Sequence, residues 1–195
     1  MLASITPLGE RGRNATWGIT VTAFIVGATL AGAALGALLG AVGAFVLPGG
    51  VALDARLTLL AAAVALAIVL DAIPRPVPGP HRQVNERWLD EYRGWVYGLG
   101  FGAQLGVGVT TVVSSAGTYV ALAAAFLTER PAAGAVIVGC FGAVRGLTLL
   151  AGAGVRTPPQ LLAMHAALGQ WQRRARWGGV AVLVAVLAVA LLVAT

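Results

Sequence analysis

Charged residues in this chain are confined to short segments that separate very long apolar stretches. Four stretches carry no charged side chain and a fifth carries a single arginine; they cover residues 14–53, 57–70, 94–128, 177–195 and, with the arginine, 131–155. A helix needs about 20 apolar residues to cross roughly 30 Å of hydrocarbon. The pattern therefore predicts a protein that crosses a membrane several times.

Composition supports the same class, since only 10% of the residues are charged and 58% are hydrophobic. Such a chain has too few polar side chains to cover a soluble domain of its length. We predict an all-α polytopic membrane protein, a single integral membrane domain over residues 1–195. About five transmembrane helices are expected, at residues 16–47, 51–71, 94–128, 131–155 and 177–195.

The arginines predict the orientation of the chain. All 13 basic residues are arginines. With one crossing per stretch, ten lie on one face (Arg11, Arg13, Arg75, Arg82, Arg87, Arg93, Arg156, Arg173, Arg174 and Arg176) and two on the other (Arg56 and Arg130). The positive-inside rule places the N-terminus in the cytoplasm and the C-terminus outside the cell membrane. We expect these arginines to meet the anionic headgroups of the lipid bilayer, and we expect no nucleic-acid partner.

Two of the predicted spans are too long for a simple crossing. Residues 16–47 and 94–128 would form helices of about 48 and 52 Å, against about 30 Å of hydrocarbon. They must tilt strongly, project beyond the membrane, or break. Both carry glycines at intervals of four, on one helical face: Gly32, Gly36 and Gly40 in one, and Gly94, Gly98, Gly102 and Gly106 in the other. Such faces predict close helix packing; a substrate path is the alternative.

A polar stripe distinguishes the third predicted span. Residues at intervals of four and three lie on one side of a helix: Gln104, Gly108, Thr111, Ser115 and Thr118. A helix break at Ser114–Gly117 is one way for this long span to fit. Hydroxyl groups in a membrane helix bond a neighbouring helix or line a solute route. We expect packing, with a solute path along this stripe as the functional alternative.

Arg145 is the one arginine that the topology does not explain. It is the fifteenth residue of the 25-residue stretch Pro131–Val155, which places it near the middle of the membrane. A charge there costs about 2.5–3.5 kcal/mol and needs a partner or water. Candidate counter-charges are Asp54, Asp71 and Glu129. Two interpretations stay open: an anion or proton role in transport, or a structural bond to carbonyls exposed where a long helix breaks.

The segments between the spans predict two further features. Thr157–Gln160 has the form of a capping box with proline at the first helical position, which predicts a short interfacial helix on the cytoplasmic side. Glu10-Arg11 and Glu86-Arg87 each precede a tryptophan, a glycine-rich span, an outer turn with one acid and one arginine, and a return span. This similarity predicts a parallel repeat of two hairpins, followed by a fifth helix.

Signatures of catalysis and of metal binding are missing from the sequence. His81 and His165 are far apart, and the acids of residues 86–91 are typical of a solvated face. Cys140 is the only cysteine, so it forms no intramolecular disulfide, and its apolar neighbours predict a buried packing group. We therefore expect no enzyme activity and no cofactor.

Two functions remain. The first is a small-solute transporter or exporter, with a path lined by the third and fourth spans: Arg145, Gln104, Thr111, Ser115 and Thr118. The second is a non-catalytic membrane subunit or scaffold that binds lipid, other membrane proteins or further copies of itself.

Overall fold

The computed structural model describes residues 5–47, 50–73, 77–79, 87–110 and 113–194, which form helices joined by short connections. In chain order they are α1 (Pro7–Gly12), α2 (Trp17–Val46), α3 (Leu53–Ala72), α4 (Trp88–Glu91), α5 (Gly94–Val107), α6 (Gly117–Leu127), α7 (Pro131–Leu147) and α8 (Pro158–Ala194). A 3₁₀ turn, Thr148–Gly152, follows α7. The described residues contain no strand, so the predicted all-α class is confirmed.

Four of the described helices are long and apolar enough to cross a membrane: α2, α3, α7 with its 3₁₀ turn, and α8. The predicted third span is not among them, because the structure divides it into α5 and α6. These two shorter helices nevertheless run beside most of α2, with Gly98 against Thr20 near one end and Phe126 against Gly43 near the other.

The other long span, α2, is continuous over 30 residues, or about 45 Å. It forms the centre of the bundle, in contact with α5 along its first half and with α7 and α6 further along. A core of apolar side chains surrounds its beginning: Ile5, Val21, Phe24, Tyr97, Phe101 and Leu149. The two long glycine-rich spans thus differ, since one is an unbroken helix and the other is interrupted.

Glycines set the distance between α2 and its neighbours. A Cβ atom at Gly36 would lie 2.0 Å from the carbonyl oxygen of Gly134 on α7. A Cβ atom at Gly106 would lie 2.1 Å from that of Ala28. In the same way Gly32, Gly40, Gly98 and Gly102 each face a carbonyl oxygen of a neighbouring helix at 2.6 Å or less. Side chains there would force the backbones apart, so this packing depends on glycine.

A second group of helices packs away from α2. Helix α3 contacts α8 and α6, and apolar side chains join the three: Val64 and Ala67, Ala116 and Val120, and Leu183. At the far end of α3, Arg56 forms an ion pair of 2.9 Å with Glu129, which links the two predicted outer turns. Helices α2 and α3 make almost no contact with each other. The two-hairpin repeat stays a prediction.

The end of the chain differs from our expectation. Instead of a separate interfacial helix and a last span, α8 is one helix of 37 residues. The predicted start is present in part, because Gln160 Oε1 accepts hydrogen bonds from the backbone N–H groups of Arg156 (2.8 Å) and Thr157 (3.1 Å). The helix does not end at its arginines, since arginine is a good helix former and no proline follows Pro159.

Cys140 is exposed rather than buried. Helix α7 turns Gly139 and Gly142 towards α2, and Cys140 lies between them in sequence on a different side of the helix. Apolar composition alone did not separate the bundle-facing side of α7 from its outer side.

The glycine contacts can be tested within α2 itself. Gly36→Ala should lower the free energy of unfolding by about 1–3 kcal/mol, because its methyl group would overlap the backbone of α7. Gly18→Ala is the matched control, since a Cβ atom there meets nothing within 4 Å. Thermal unfolding of the detergent-purified variants measures both. Equal melting temperatures for the two variants would contradict the contact.

Candidate functional site at the break between α5 and α6

The end of α5 is closed by hydrogen bonds to its last carbonyl groups. Gly108 ends the helix with φ +78°, a conformation that glycine adopts without strain. Its N–H donates to the carbonyl of Leu105 at 3.1 Å, and Thr110 Oγ1 donates to the carbonyl of Gln104 at 2.6 Å. A helix that stops inside a membrane needs such partners, because lipid offers none.

Arg145 supplies a further bond at this helix end. It lies in the last turn of α7, and its Nη1 donates to the carbonyl of Leu105 at 3.1 Å. Its guanidinium carbon is 5.6 Å from the centre of the Phe141 ring. Among the described residues no acid pairs with Arg145; Glu129 pairs with Arg56 instead. A bond of this kind, from Arg145 to a carbonyl at a helix end, is what the structural interpretation of Arg145 predicts.

The surroundings of Arg145 explain how its charge is accommodated without an acid. The C-terminal end of a helix carries about half a negative charge. Arg145 lies in the last turn of α7 and also bonds the end of α5. Each such end favours a nearby cation by about 0.3–1 kcal/mol, and by up to about 2 kcal/mol where the site is partly buried. The guanidinium thus fits this site as a structural cation.

The N-terminus of α6 is capped by an acidic side chain. Asp71, the second-last residue of α3, is 7% exposed. Its Oδ1 accepts from the backbone N–H of Ala116 at 2.8 Å, and its Oδ2 accepts from Ser115 Oγ at 2.7 Å. A carboxylate here suits the positive end of the α6 dipole. The break therefore has a cation from α7 at one side and an anion from α3 at the other.

Arg176 of α8 fixes the position of Asp71. Its side chain donates hydrogen bonds to the backbone carbonyls of Asp71 and Ile73, where α3 ends. Since α3 also packs along α8, the acid that closes α6 is held by both helices. The described part of the break thus connects two packed groups of helices.

The structure brings some of the predicted path residues together. A Cβ atom at Gly108 would lie 2.9 Å from Thr118 Cγ2 and 3.4 Å from Arg145 Nη1, so these three residues meet at the break. Ser115 instead bonds Asp71. Gln104 lies one turn before the end of α5 and is half-buried. Thr111 lies outside the described residues.

A second polar cluster was not predicted. Glu10 is completely buried, and its carboxylate accepts hydrogen bonds from Tyr97 Oη (2.6 Å), Thr20 Oγ1 (2.6 Å) and Arg13 Nη2 (2.7 Å). Burial by itself lowers the pKa of the Arg13 guanidinium, but its bonds to Glu10 and Tyr97 raise that pKa above its usual value. The three-residue spacing of Glu10 and Arg13 could have indicated their ion pair from the sequence. The bond between Glu10 and Tyr97 could not be predicted, because the two residues are 87 positions apart.

Neither cluster resembles a metal centre, since the described residues contain no group of three His, Cys, Asp or Glu side chains that could hold an ion. The chain matches no protein family model, no curated protein and no solved structure.

The bond from Arg145 to α5 predicts a graded response to substitution. Arg145→Met keeps most of the side-chain length but removes charge and donors, and should lower the free energy of unfolding by about 1.5–3 kcal/mol. Arg145→Lys should lose less, because an ammonium group can still donate to the Leu105 carbonyl. Chemical denaturation in detergent measures the difference. If methionine is tolerated as well as lysine, the guanidinium does not hold the break.

The Glu10 cluster predicts that neutralising this buried acid lowers the free energy of unfolding more than neutralising an exposed acid. Glu10→Gln keeps the size of the side chain but leaves Arg13 without its anion, and should cost about 1.5–3 kcal/mol of unfolding free energy. Glu91→Gln makes the same change at an exposed position and should stay within about 0.5 kcal/mol of the unsubstituted protein. Comparable losses in the two variants would argue against the network.

Proposed function

We propose that this protein is a transporter of a small polar solute, with a path through the break between α5 and α6 and along α7. The observation that carries the proposal is a discontinuous helix, beside the continuous α2, whose two ends are bonded to different helices. Discontinuous membrane helices commonly form solute sites in secondary transporters, because their free ends supply binding groups.

The hydrogen bonds at the break link the proposed path to two different groups of helices. The end of α5 is tied through Arg145 to α7, which packs against α2 by glycine contacts. The start of α6 is tied through Asp71 to α3, which packs against α8. A displacement of α3 and α8 relative to α2, α5 and α7 would therefore act on residues 108–116.

The side chains at the break suit a polar solute. Thr110 and Ser114 are exposed in non-helical backbone, and Thr118 lies beside Gly108. Exposed irregular backbone is not tolerated against lipid, so it faces water or other protein. Hydroxyl groups both donate and accept hydrogen bonds, so they suit small polar solutes. The charge of Arg145 is offset by helix ends, and its role in this proposal is to hold the break.

Access of water to the break can be measured by cysteine labelling. In a Cys140→Ala background, Ser114→Cys in proteoliposomes should react with a charged, membrane-impermeant thiol reagent at least about tenfold faster than Val136→Cys. Val136 is the control because it is 64% exposed on α7, where an apolar side chain faces lipid. Equal, slow labelling at both positions would contradict a wet path at the break.

Flux is tested in the same proteoliposomes. Osmotic swelling is followed with neutral polyols, amino acids and small carboxylates. At least one solute should enter faster than into protein-free liposomes, and modification of Ser114→Cys should slow it. Val136→Cys treated with the same reagent should not change the flux. Identical swelling with and without protein across all three solute classes would contradict transport of such solutes.

The second function, a non-catalytic membrane subunit or scaffold, is favoured by α8. This helix is about 56 Å long and packs on α3 along only part of its surface. It leaves large apolar side chains exposed along its length: Leu162, Trp171, Val182 and Val189. A stoichiometric partner that co-purifies in mild detergent, and is lost in Trp171→Gln, would support this function over transport.

A further inference from the structure

A pocket of about 590 Å³ opens beside the Glu10 cluster, away from the break. It lies between the residues that join α1 to α2 and those that join α4 to α5. Its lining includes three charged residues, Arg13, Arg93 and Glu91, and the apolar side chains of Ile19 and Trp95. Its volume lies in the range of sites that enclose small ligands.

The floor of this pocket is rigid. Tyr97 and Thr20 line it, are almost completely buried, and both donate hydrogen bonds to Glu10. Arg13 is held at 2.7 Å from Glu10 and lies over the Tyr97 ring at 5.8 Å. A ligand would therefore meet groups already in place, which lowers the entropy lost on binding.

The charges around the pocket are balanced. Arg13 and Arg93 are positive, Glu91 is negative, and Glu10 lies directly behind the floor with its carboxylate on Arg13. Among the described residues, these two cations and two anions do not favour a purely anionic ligand. They suit a zwitterion that carries a phosphate and an ammonium group, each opposite a group of the other sign.

One side of the pocket is apolar and exposed. Ile19 is 57% exposed on α2 and Trp95 is 52% exposed on α5, and both line the pocket. Leu99 follows Trp95 one turn further along α5 and is 38% exposed. These side chains continue from the polar pocket along the apolar helices. A ligand with a polar head and an apolar chain would match both parts.

We infer that this pocket binds the head group of a zwitterionic phospholipid with a primary ammonium, of the phosphatidylethanolamine type. The phosphate accepts hydrogen bonds from Arg93 and Arg13, and the ammonium donates to the carboxylate of Glu91. The acyl chains lie along Ile19 and Trp95. A choline head group has no N–H to donate to Glu91, and a glycerol head group leaves that carboxylate without a cation. This inference does not depend on the transport proposal.

The test uses the full-length protein, stripped of lipid in detergent, and short-chain phosphatidylethanolamine, phosphatidylcholine and phosphatidylglycerol. Native mass spectrometry measures binding of each lipid. Phosphatidylethanolamine should bind at least about tenfold more tightly than the other two, a difference of about 1.4 kcal/mol. Arg93→Gln should weaken it by a similar factor, and Glu91→Gln should remove the preference over phosphatidylglycerol. Arg156→Gln, an exposed arginine outside the pocket, should change nothing.

Equal affinity for the three lipids would overturn the inference, and so would unchanged binding in both Arg93→Gln and Glu91→Gln. Melting temperatures establish that the variants are folded, and Arg93→Lys, which keeps the charge, should recover part of the affinity. Tail-free glycerophosphoethanolamine distinguishes the source of the ligand. Much weaker binding than the lipid supports a membrane lipid, whereas equal binding overturns the lipid assignment in favour of a soluble phosphate ester.

Discussion

A helix that ends inside a membrane must find partners for its last backbone groups among other parts of the protein. In this chain the ends of α5 and α6 that face the break are capped by side chains of opposite charge. Arg145 closes the C-terminal end of α5 and Asp71 closes the N-terminal end of α6, each with the sign that the helix dipole favours. Because these residues come from α7 and α3, the break also holds together two packed groups of helices. The proposed path depends on this pair of caps, whereas the packing around α2 depends on glycine.

Two kinds of contact divide the structure. Around α2 the backbones touch through glycine, which gives a close and specific fit. Between α3, α6 and α8 the contacts are made by apolar side chains, which adapt more easily to small shifts. The backbone contacts of α2 thus leave less room for adjustment than the side-chain contacts of α3, α6 and α8. Cys140 and Val136 lie exposed on the outer side of α7.

Much of this could be predicted from the sequence because it follows from spacing. The long apolar stretches predicted most of the long helices. Glycines at intervals of four predicted the faces of α2 and α5 that pack closely. The sequence also predicted, as one of two interpretations of Arg145, a bond to a carbonyl at a helix end, and Arg145 donates such a bond to Leu105. Pairings across the fold could not be predicted: Asp71 and Ser115 are 44 residues apart, and Glu10 and Tyr97 are 87 apart. Similar length and glycine content did not reveal that α2 is continuous. A break at Ser114–Gly117 was one expectation for its counterpart, and the interruption lies between Val107 and Gly117. Gly108 and the hydroxyl residues after it mark that difference, and α2 carries no comparable cluster in its middle.

The contacts of α2 and α3 have a consequence for the order in which the protein can assemble. Helix α2 precedes α3 in the chain, yet the two make almost no contact with each other. The partners of α2 are α5, α6 and α7, and the main partner of α3 is α8, all of which follow in the chain. Helices α2 and α3 are therefore synthesised before the helices that they pack against. A truncated product that stops before α8 would lack Arg176, so the end of α3 that carries Asp71 would lose its hydrogen bonds to α8.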